Sequence, residues 1–390
     1  MNKGVSHLVA RCLIMLATAG LVVGMMVLGL SDKDAAKKDF IEYWAAGQQL
    51  VRGANPYDAT EVLRLESGAG LVGNEPQVTF SPPLGLALVL PLGLVSAKTG
   101  LILWLLALIS SLLLSIWMIW VLNGRPDSAY HFCGYMFAPA VACFITGQIG
   151  IFLLLGIVLF SFFMDRRPYL AGAALLPCAW KPHLFLPFFV VLFLWSLRRK
   201  EFRILVTFFA AVLASYTVTL SFNPHVQAQY TQMISQTGVL HHYVPTLSAT
   251  LRLLLYPRAV WLQFAPEAFA CCWAVWYFWS RQDRWNWLDQ GSLVLLVSAV
   301  CAPYAWFSDE IVLLPAILYG VYRAVDERRS LWPIAIIYVA ALLEICAYSG
   351  ISSKLYLWTT PAWLGWFVYA TWKRTPQSEP VPSGTELVTG

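Results

Sequence analysis

The chain has 390 residues, of which 59% are hydrophobic and only 12% charged, and its formal net charge is +5. A soluble globular domain carries roughly 25% charged residues, so this composition excludes an ordinary soluble protein and indicates an integral membrane protein. The positive residues stand in short clusters between apolar runs, which is typical of membrane orientation signals and argues against a nucleic-acid-binding surface.

The first apolar run, residues 8–30, exceeds the ~20 residues that a helix needs to cross a bilayer. No small-residue cleavage site follows it, so we interpret it as a retained first span and not as a signal peptide. From Asp39 to Leu50 the apolar residues fall at helical spacing and predict a short amphipathic helix lying on the bilayer surface. Asp39 stands near the start of this helix, where the simplest interpretation is an N-cap, and Tyr43 and Trp44 suit interfacial anchors.

Further apolar runs predict membrane spans along the rest of the chain. They cover residues 99–122, 130–146, 149–164, 169–180, 183–197, 204–221, 258–280, 289–305, 310–325, 331–349 and 356–372. Several are shorter than ~20 residues, which is tolerated where helix ends are buried in protein or line a watery cavity. With the first run, the sequence predicts an all-α polytopic membrane protein of about 12 transmembrane helices. The eight cysteines lie in apolar stretches, and we interpret them as small apolar residues and not as disulfides or metal ligands.

The lysines and arginines set the predicted orientation. If the N-terminus is cytoplasmic and residues 82–97 lie along the outer surface, 16 of the 26 positive residues fall on the cytoplasmic side. Both termini are then cytoplasmic, and the outer face receives a first loop at 31–98 and a second loop at 222–257. We expect one transmembrane domain over residues 1–375, followed by a disordered cytoplasmic tail at 376–390 that is rich in Pro, Ser, Thr and Gly.

The clearest polar feature inside an apolar run is Lys181-Pro182-His183. A lysine within a membrane segment is costly and is by default a functional hypothesis, with an anionic partner. Pro182 breaks the helix at this point and frees backbone groups that a cavity could use. The alternative is a buried structural ion pair with a carboxylate such as Asp309. Asp309 and Glu310, at the outer end of a later span, could pair with the lysine, cap a helix or orient a substrate.

Other polar residues fall on the same predicted outer face. Gln148 forms a corner between two short spans, and His242 and Arg252 are compatible with phosphate contacts, although paired surface histidines such as His241-His242 are commonly incidental. An acid at the membrane surface beside cations in a broken helix suits an enzyme that takes a sugar from a lipid phosphate. The cations would hold the charge of the phosphate leaving group, and a carboxylate would act as general base toward the acceptor hydroxyl.

Several motifs together resemble one family. They are D-F-x-x-Y-W-A-A-G from Asp39, G-x-N-P-Y at 53–57, Phe80 to Leu84, Thr146-Gly147-Gln148, the stretch from Ala171 to Pro182, and Pro303 to Pro315. In this order they resemble glycosyltransferase family 87. The resemblance implies a bundle of the GT-C type, with surface helices in the first periplasmic loop, in a bacterial inner membrane. It further implies inverting transfer of a sugar, most simply mannose, from a polyprenyl-phosphate donor to a lipid or glycan acceptor on the periplasmic face.

The resemblance also suggests roles for single residues. Asp39 becomes the general base, and Lys181 with His183 the donor-phosphate site. We add Arg252 and His242 as further candidate phosphate ligands, and we predict that the substrate is contacted by Glu42, Tyr43, Trp44, Gln148 and Asp309. The first-loop acid is not part of an adjacent pair of acids, so we expect no divalent metal or other cofactor. The expected partners are the lipid-linked donor, the acceptor and membrane lipids. We expect no nucleic-acid partner.

Two other functions remain possible on the sequence alone. A transporter or flippase of lipid-linked glycans would also use an intramembrane lysine and broken helices. It should show paired interruptions in two halves, whereas this chain has a single Lys-Pro break and a long polar loop that carries the acid. A polysaccharide polymerase or ligase would depend on a large late outer loop, whereas the early loop is the richer one here. The pattern therefore favours the glycosyltransferase.

Overall fold

The computed structural model describes residues 39–237, 244, 246–347 and 354–372. The predicted first span at 8–30, the candidate phosphate ligand His242 and the predicted tail at 376–390 lie outside these residues. Within the described ranges every regular element is a helix and none is a strand, which confirms the all-α part of the predicted fold. The single domain over 1–375 stays a prediction.

The described α-helices, in chain order, have the following bounds. They are α1 (Phe40–Val51), α2 (Ala59–Gly68), α3 (Pro83–Val89), α4 (Ala97–Leu122), α5 (Ala138–Thr146), α6 (Gly150–Phe163), α7 (Pro168–Ala174), α8 (Leu186–Arg199), α9 (Arg203–Phe222), α10 (Val226–Thr237), α11 (Leu247–Leu255), α12 (Ala265–Arg281), α13 (Ser292–Cys301), α14 (Leu314–Asp326), α15 (Trp332–Ala347) and α16 (Thr359–Thr371). Short 3₁₀ turns connect several of them, at Leu90–Leu94, Tyr130–Met136, Leu176–Trp180, Pro182–Leu184, Val260–Gln263, Gln282–Arg284, Phe307–Leu313 and Lys354–Trp358.

Two described helices, α4 and α9, are long and apolar enough to cross a membrane by length and composition. They coincide with the predicted spans 99–122 and 204–221. Shorter apolar helical stretches occur at Pro83–Leu94, Tyr130–Thr146, Gly150–Phe163, Trp287–Cys301 and Trp332–Ala347. The predicted spans from residue 99 onward thus overlap helical structure, while the number of about 12 crossings stays a prediction.

The helices around the first loop pack in a continuous sequence of contacts. Helix α4 packs against α6, α6 against α7, α7 against α9, and α9 against α3. Two hydroxyls of α9 fix α3, because Ser215 Oγ donates to the Leu84 carbonyl at 2.6 Å and Thr219 Oγ1 donates to the Pro83 carbonyl at 2.9 Å. The short helix of residues 83–89 is therefore held by a long, apolar neighbour, and it in turn supports the residues of the first loop.

Helix α1 forms where it was predicted, but its surroundings correct the prediction of a helix lying on the bilayer. Nine of its 12 residues are buried, and it packs against the 3₁₀ turn that follows α3. Tyr43 and Trp44 are 2% and 8% exposed, and Trp44 Nε1 donates to the Val95 carbonyl at 3.0 Å. The small residues Ala45, Ala46 and Gly47 allow this close packing. The interpretation of Tyr43 and Trp44 as interfacial anchors is therefore wrong.

Candidate active site

A cavity of about 790 Å³ opens where α1, the first loop, the turn at 180–183, α10 and the segment 304–306 meet. The predicted site residues that line it are Asp39, Glu42, Tyr43, Gln148, Lys181 and His183. The acid at the start of α1 and the lysine and histidine of the broken helix therefore face the same cavity, although 142 positions separate Asp39 from Lys181 in the sequence.

The Asp39 carboxylate belongs to a hydrogen-bonded chain of side chains. Gln148 Nε2 donates to Asp39 Oδ2 at 2.7 Å, and Tyr43 Oη donates to Gln148 Oε1 at 3.0 Å. An ionised carboxylate only accepts hydrogen bonds, so the NH₂ group of Gln148 must face Asp39 and its carbonyl must face the tyrosine. Asp39 occupies the N-cap position of α1 but makes no side-chain capping bond. The N-cap interpretation of its carboxylate is therefore wrong, and Oδ2 instead accepts from Gln148, a residue distant in the sequence.

The glycine before Gln148 explains how this side chain reaches α1. Gly147 has φ +77° and ends α5 in the left-handed conformation, with its N–H donating to the Cys143 carbonyl at 2.7 Å. A Cβ at this position would lie 2.8 Å from the Cβ of Phe40. Trp104 Nε1 also donates to the Gly147 carbonyl at 2.7 Å. Both the backbone conformation and the space therefore require glycine, and the turn places Gln148 directly against Asp39.

Lys181 stands outside helical structure because of the proline that follows it. The residue before proline is sterically disfavoured in the α region, and Lys181 has φ −127° and ψ 66°. Its Nζ lies 2.7 Å and 3.0 Å from the two carboxylate oxygens of Asp309. The predicted alternative of a buried ion pair is thus realised, yet Lys181 also lines the cavity. An ammonium has three N–H donors and this pair uses two of them, so the lysine can also serve an anion in the cavity.

Asp309 lies behind Lys181 and does not line the cavity. Its side chain is 1% exposed, and its Oδ2 also accepts the Trp306 N–H at 3.0 Å. Asp309 therefore positions Lys181, and direct contact of Asp309 with the substrate stays a prediction that its place behind the lysine does not favour. The neighbouring acid, Glu310, is also buried and accepts hydrogen bonds from Thr359 Oγ1 at 2.6 Å and Trp363 Nε1 at 2.8 Å. Glu310 thus fixes α16 and takes no part in the cavity.

His183 lies two residues after Lys181 and lines the same cavity. Its ring packs edge-on against Tyr304 at a centroid distance of 5.9 Å. Its Nε2 is buried and has no hydrogen-bond partner among the residues that the structure describes. A buried polar atom without a partner is unusual in proteins, and in a cavity wall it indicates a position that a ligand would satisfy.

Glu42 is the second carboxyl group of α1 that faces the cavity. It stands three residues after Asp39, so both lie on one side of the helix. Burial, with a smaller contribution from the Asp39 charge, raises the pKa of Glu42 to about 8. At neutral pH Glu42 therefore carries a proton in most molecules and can donate a hydrogen bond, whereas a general base must accept one.

The family model of glycosyltransferase family 87 matches residues 80–303, which is more than half of the 390-residue chain. The chain belongs to glycosyltransferase family 87. The match includes Gln148, Lys181 and His183, while Asp39 and Asp309 lie outside its limits. No curated protein and no solved structure matches the chain. The cavity is therefore the candidate active site of a membrane-associated glycosyltransferase.

Two predicted site residues of this family 87 glycosyltransferase lie away from the cavity. Trp44 is about 140° around the helix from Asp39, since each residue turns an α-helix by about 100°. Its indole faces Val95 instead. Arg252, in α11, is 3% exposed and is not among the residues that line the cavity. The sequence predicts that both residues lie on the outer face, which stays a prediction, but it could not show which way each side chain points.

The cavity of the glycosyltransferase also contains residues that the sequence analysis did not identify as site residues. These lining residues include Asn55, Tyr57, Gln77, Trp180, Gln229, Gln232 and Gln236. One signal was present in the sequence, because the three glutamines of α10 recur at positions i, i+3 and i+7 and so share one helix face. The others come from loops and turns, where no periodicity shows which side chains face inward.

Proposed function

We propose that this glycosyltransferase moves mannose from a polyprenyl-phosphate donor to a lipid or glycan acceptor at the periplasmic face of a bacterial inner membrane. The observation that carries the proposal is that the Asp39 carboxylate and the Lys181 and His183 side chains line one cavity. Transfer from a lipid phosphate needs these two kinds of group together, a base for the acceptor hydroxyl and cations or donors for the phosphate.

The proposed reaction is a single displacement at the anomeric carbon. The acceptor hydroxyl transfers its proton to Asp39, and its oxygen forms the new bond to C1 of the sugar. The bond from C1 to the phosphate oxygen breaks at the same time, and the electron pair leaves with the polyprenyl phosphate. Lys181 and His183 bind that phosphate, and the proton on Asp39 is afterwards released to water. A β-linked donor would give an α-linked product, and a product with the donor's own configuration would contradict the mechanism.

The hydrogen bonds around Asp39 support its role as the base. Gln148 holds Asp39 Oδ2 through a short bond, and Tyr43 fixes Gln148 in turn. Such a network restrains the carboxylate before the acceptor arrives, which is what efficient proton transfer requires. Protonated Glu42, one turn along the helix, is suited to donate a hydrogen bond to a neighbouring hydroxyl of the same substrate.

The decisive test is sugar transfer by membranes that contain the full-length protein and radiolabelled polyprenyl-phosphate mannose, with mass analysis of the labelled products. We expect Asp39→Asn to abolish transfer, because it keeps the size of the side chain and removes the basic carboxylate. Asp165→Asn is the matched control, since Asp165 is exposed and does not line the cavity. Near-normal turnover by Asp39→Asn would remove Asp39 from the base role. Movement of the donor across the membrane without any labelled product would instead favour the flippase.

The expectation that no divalent metal is needed can be tested in the same assay. Addition of EDTA should leave the rate of transfer unchanged, because the proposal assigns the phosphate charge to Lys181, with His183 as a hydrogen-bonding partner, and not to a metal ion. Loss of transfer with EDTA and its recovery with Mg²⁺ or Mn²⁺ would contradict this part of the proposal.

A further inference from the structure

One wall of the cavity is built from uncharged amide side chains. Helix α10 contains no charged residue, and three of its glutamines, Gln229, Gln232 and Gln236, line the cavity together with Met233. Asn55 and Gln77 of the first loop line the same cavity. We refer to Asn55, Gln77, Gln229, Gln232 and Gln236 as the amide wall.

The structure holds α10 in a defined position against the first loop. Asn223, 2% exposed, donates through Nδ2 both to the Ala54 carbonyl at 2.9 Å and to Gln229 Oε1 at 2.8 Å. The rings of Tyr57 and Tyr230 also pack at a centroid distance of 5.4 Å. Since Asn223 occupies the oxygen of the Gln229 amide, its NH₂ group is the part left to donate to a ligand.

The fourth glutamine of α10 shows that this arrangement is specific to one face. Gln227 accepts a hydrogen bond from Tyr216 Oη at 3.3 Å at the exposed surface and does not line the cavity. The glutamines at i, i+3 and i+7 thus face the cavity, and the one outside this spacing faces elsewhere. Gln227 provides a matched control on the same helix.

The chemistry of the amide wall indicates its ligand. An amide both donates and accepts hydrogen bonds, as a sugar hydroxyl does, and it offers no charge to compensate a phosphate or carboxylate. From Gln229 to Gln236 the helix rises about 10 Å, which is longer than one pyranose ring.

We propose that the amide wall is an acceptor subsite for a neutral oligosaccharide, which binds the sugar units beyond the one that reacts at Asp39. The inference rests on the proposed function, because it takes the acceptor hydroxyl to lie at Asp39. Binding to the wall can nevertheless be measured without transfer, so the two proposals can fail separately.

The experiment measures binding of methyl hexosides and of the corresponding linear neutral trisaccharides, in a mannose and a glucose series, to the full-length protein in detergent. Intrinsic tryptophan fluorescence gives the affinities, and a trisaccharide with one uronic acid tests the effect of charge. In the preferred series we expect the neutral trisaccharide to bind about tenfold more tightly than the monosaccharide, as two or more additional hydrogen bonds would provide. The acidic trisaccharide should bind more weakly than the neutral one.

The variants connect this preference to α10. Gln232→Ala combined with Gln236→Ala should remove the advantage of the trisaccharide, whereas Gln227→Ala should keep it. Asp39→Asn should keep the preference for the trisaccharide over the monosaccharide while failing to transfer sugar, which separates the subsite from the base. Equal affinity for one and three sugars in both series, or a double variant that keeps the preference at an unchanged melting temperature, would overturn the subsite. Tighter binding of the acidic trisaccharide would overturn its neutral specificity.

Discussion

The proposed base, Asp39, and the proposed phosphate ligand, Lys181, have different kinds of partner. The carboxylate of Asp39 accepts a hydrogen bond from a neutral group, Gln148, which Tyr43 fixes in turn. Lys181 is held by a full counter-charge, the buried carboxylate of Asp309. Hydrogen bonds from an amide restrain a carboxylate without reducing its net charge. A lysine in apolar surroundings, by contrast, needs an anion to offset the free energy of removing its charge from water.

This difference suggests why the two halves of the site have different partners. The hydrogen bond from Gln148 orients the carboxylate of Asp39, as the proposed role of a general base requires. A phosphate ligand must keep its positive charge when no phosphate is bound, and Asp309 provides that compensation. The comparison predicts that removal of Asp309, the partner of Lys181, greatly reduces stability and transfer. Removal of Gln148, the partner of Asp39, should reduce transfer moderately.

The largest effect is expected from Asp309→Asn. It leaves the Lys181 charge buried without a counter-charge, which costs about 3–5 kcal/mol and should both lower the melting temperature and abolish transfer. The control is Asp283→Asn, which breaks the exposed Arg198–Asp283 pair and should have little effect on either measurement.

A double variant separates stability from function at this pair. Lys181→Met combined with Asp309→Leu removes both charges, so thermal unfolding should return toward the wild-type temperature while transfer remains absent. Recovery of transfer in the double variant would show that transfer does not need the lysine. This result would contradict the proposed role of Lys181 at the donor phosphate.

The next effect concerns the partner of the base. Gln148→Glu keeps the shape of the side chain but places a second carboxylate against Asp39, which disfavours ionisation of both. We expect transfer to fall about tenfold or more at neutral pH and the acidic limb of the pH–rate profile to move to higher pH. Gln148→Met, which removes the hydrogen bond without adding charge, should lower the rate and move that limb to higher pH by less than Gln148→Glu does. Identical profiles for the two variants would contradict an electrostatic origin.

The sequence predicted the two halves of the site unequally. The cost of a lysine in an apolar run identified Lys181 and suggested Asp309 as its partner, because charge compensation is required wherever the fold places the pair. The partner of Asp39 was not predictable, since 109 positions separate it from Gln148 and the contact depends on the left-handed turn at Gly147. The local N-cap interpretation of Asp39 is wrong, since its carboxylate makes a tertiary hydrogen bond to Gln148 and no capping bond.

A similar limit applies to the fold. Apolar runs predicted the positions of the helices, because hydrophobicity and length are properties of a single segment. They could not predict that α1 is enclosed by protein, since a helix on a membrane and a helix packed in a bundle both need an apolar face. The buried indole of Trp44 depends on Val95, which belongs to a separate turn of the first loop.

A smaller effect is expected where a glycine permits the cavity wall to form. A Cβ at Gly85 would lie 1.9 Å from Nε1 and 2.3 Å from Cδ1 of Trp180, which lines the cavity beside Lys181. Gly85→Ala should therefore displace the indole, cost about 1–3 kcal/mol in stability and weaken donor binding, seen as a raised KM. Gly68→Ala is the matched control, because a Cβ there meets no atom within 4 Å. An unchanged KM in Gly85→Ala would show that the indole does not shape the donor site.

The smallest effect is expected at Glu42, on the same helix as the base. Its pKa is raised from 4.5 to about 8, so the folded protein binds more protons than the unfolded chain between these values, and stability should fall as the pH rises from 4.5 to 8. Glu42→Gln cannot ionise and should make this decline shallower in thermal unfolding measured across the range. If protonated Glu42 also donates to the substrate, transfer by the wild type should fall as the pH rises through about 8, and the glutamine, which keeps a donor, should remove that limb. If a steep alkaline limb persists in Glu42→Gln, the limb belongs to another group. Asp39 would then be the single functional acid at this end of α1.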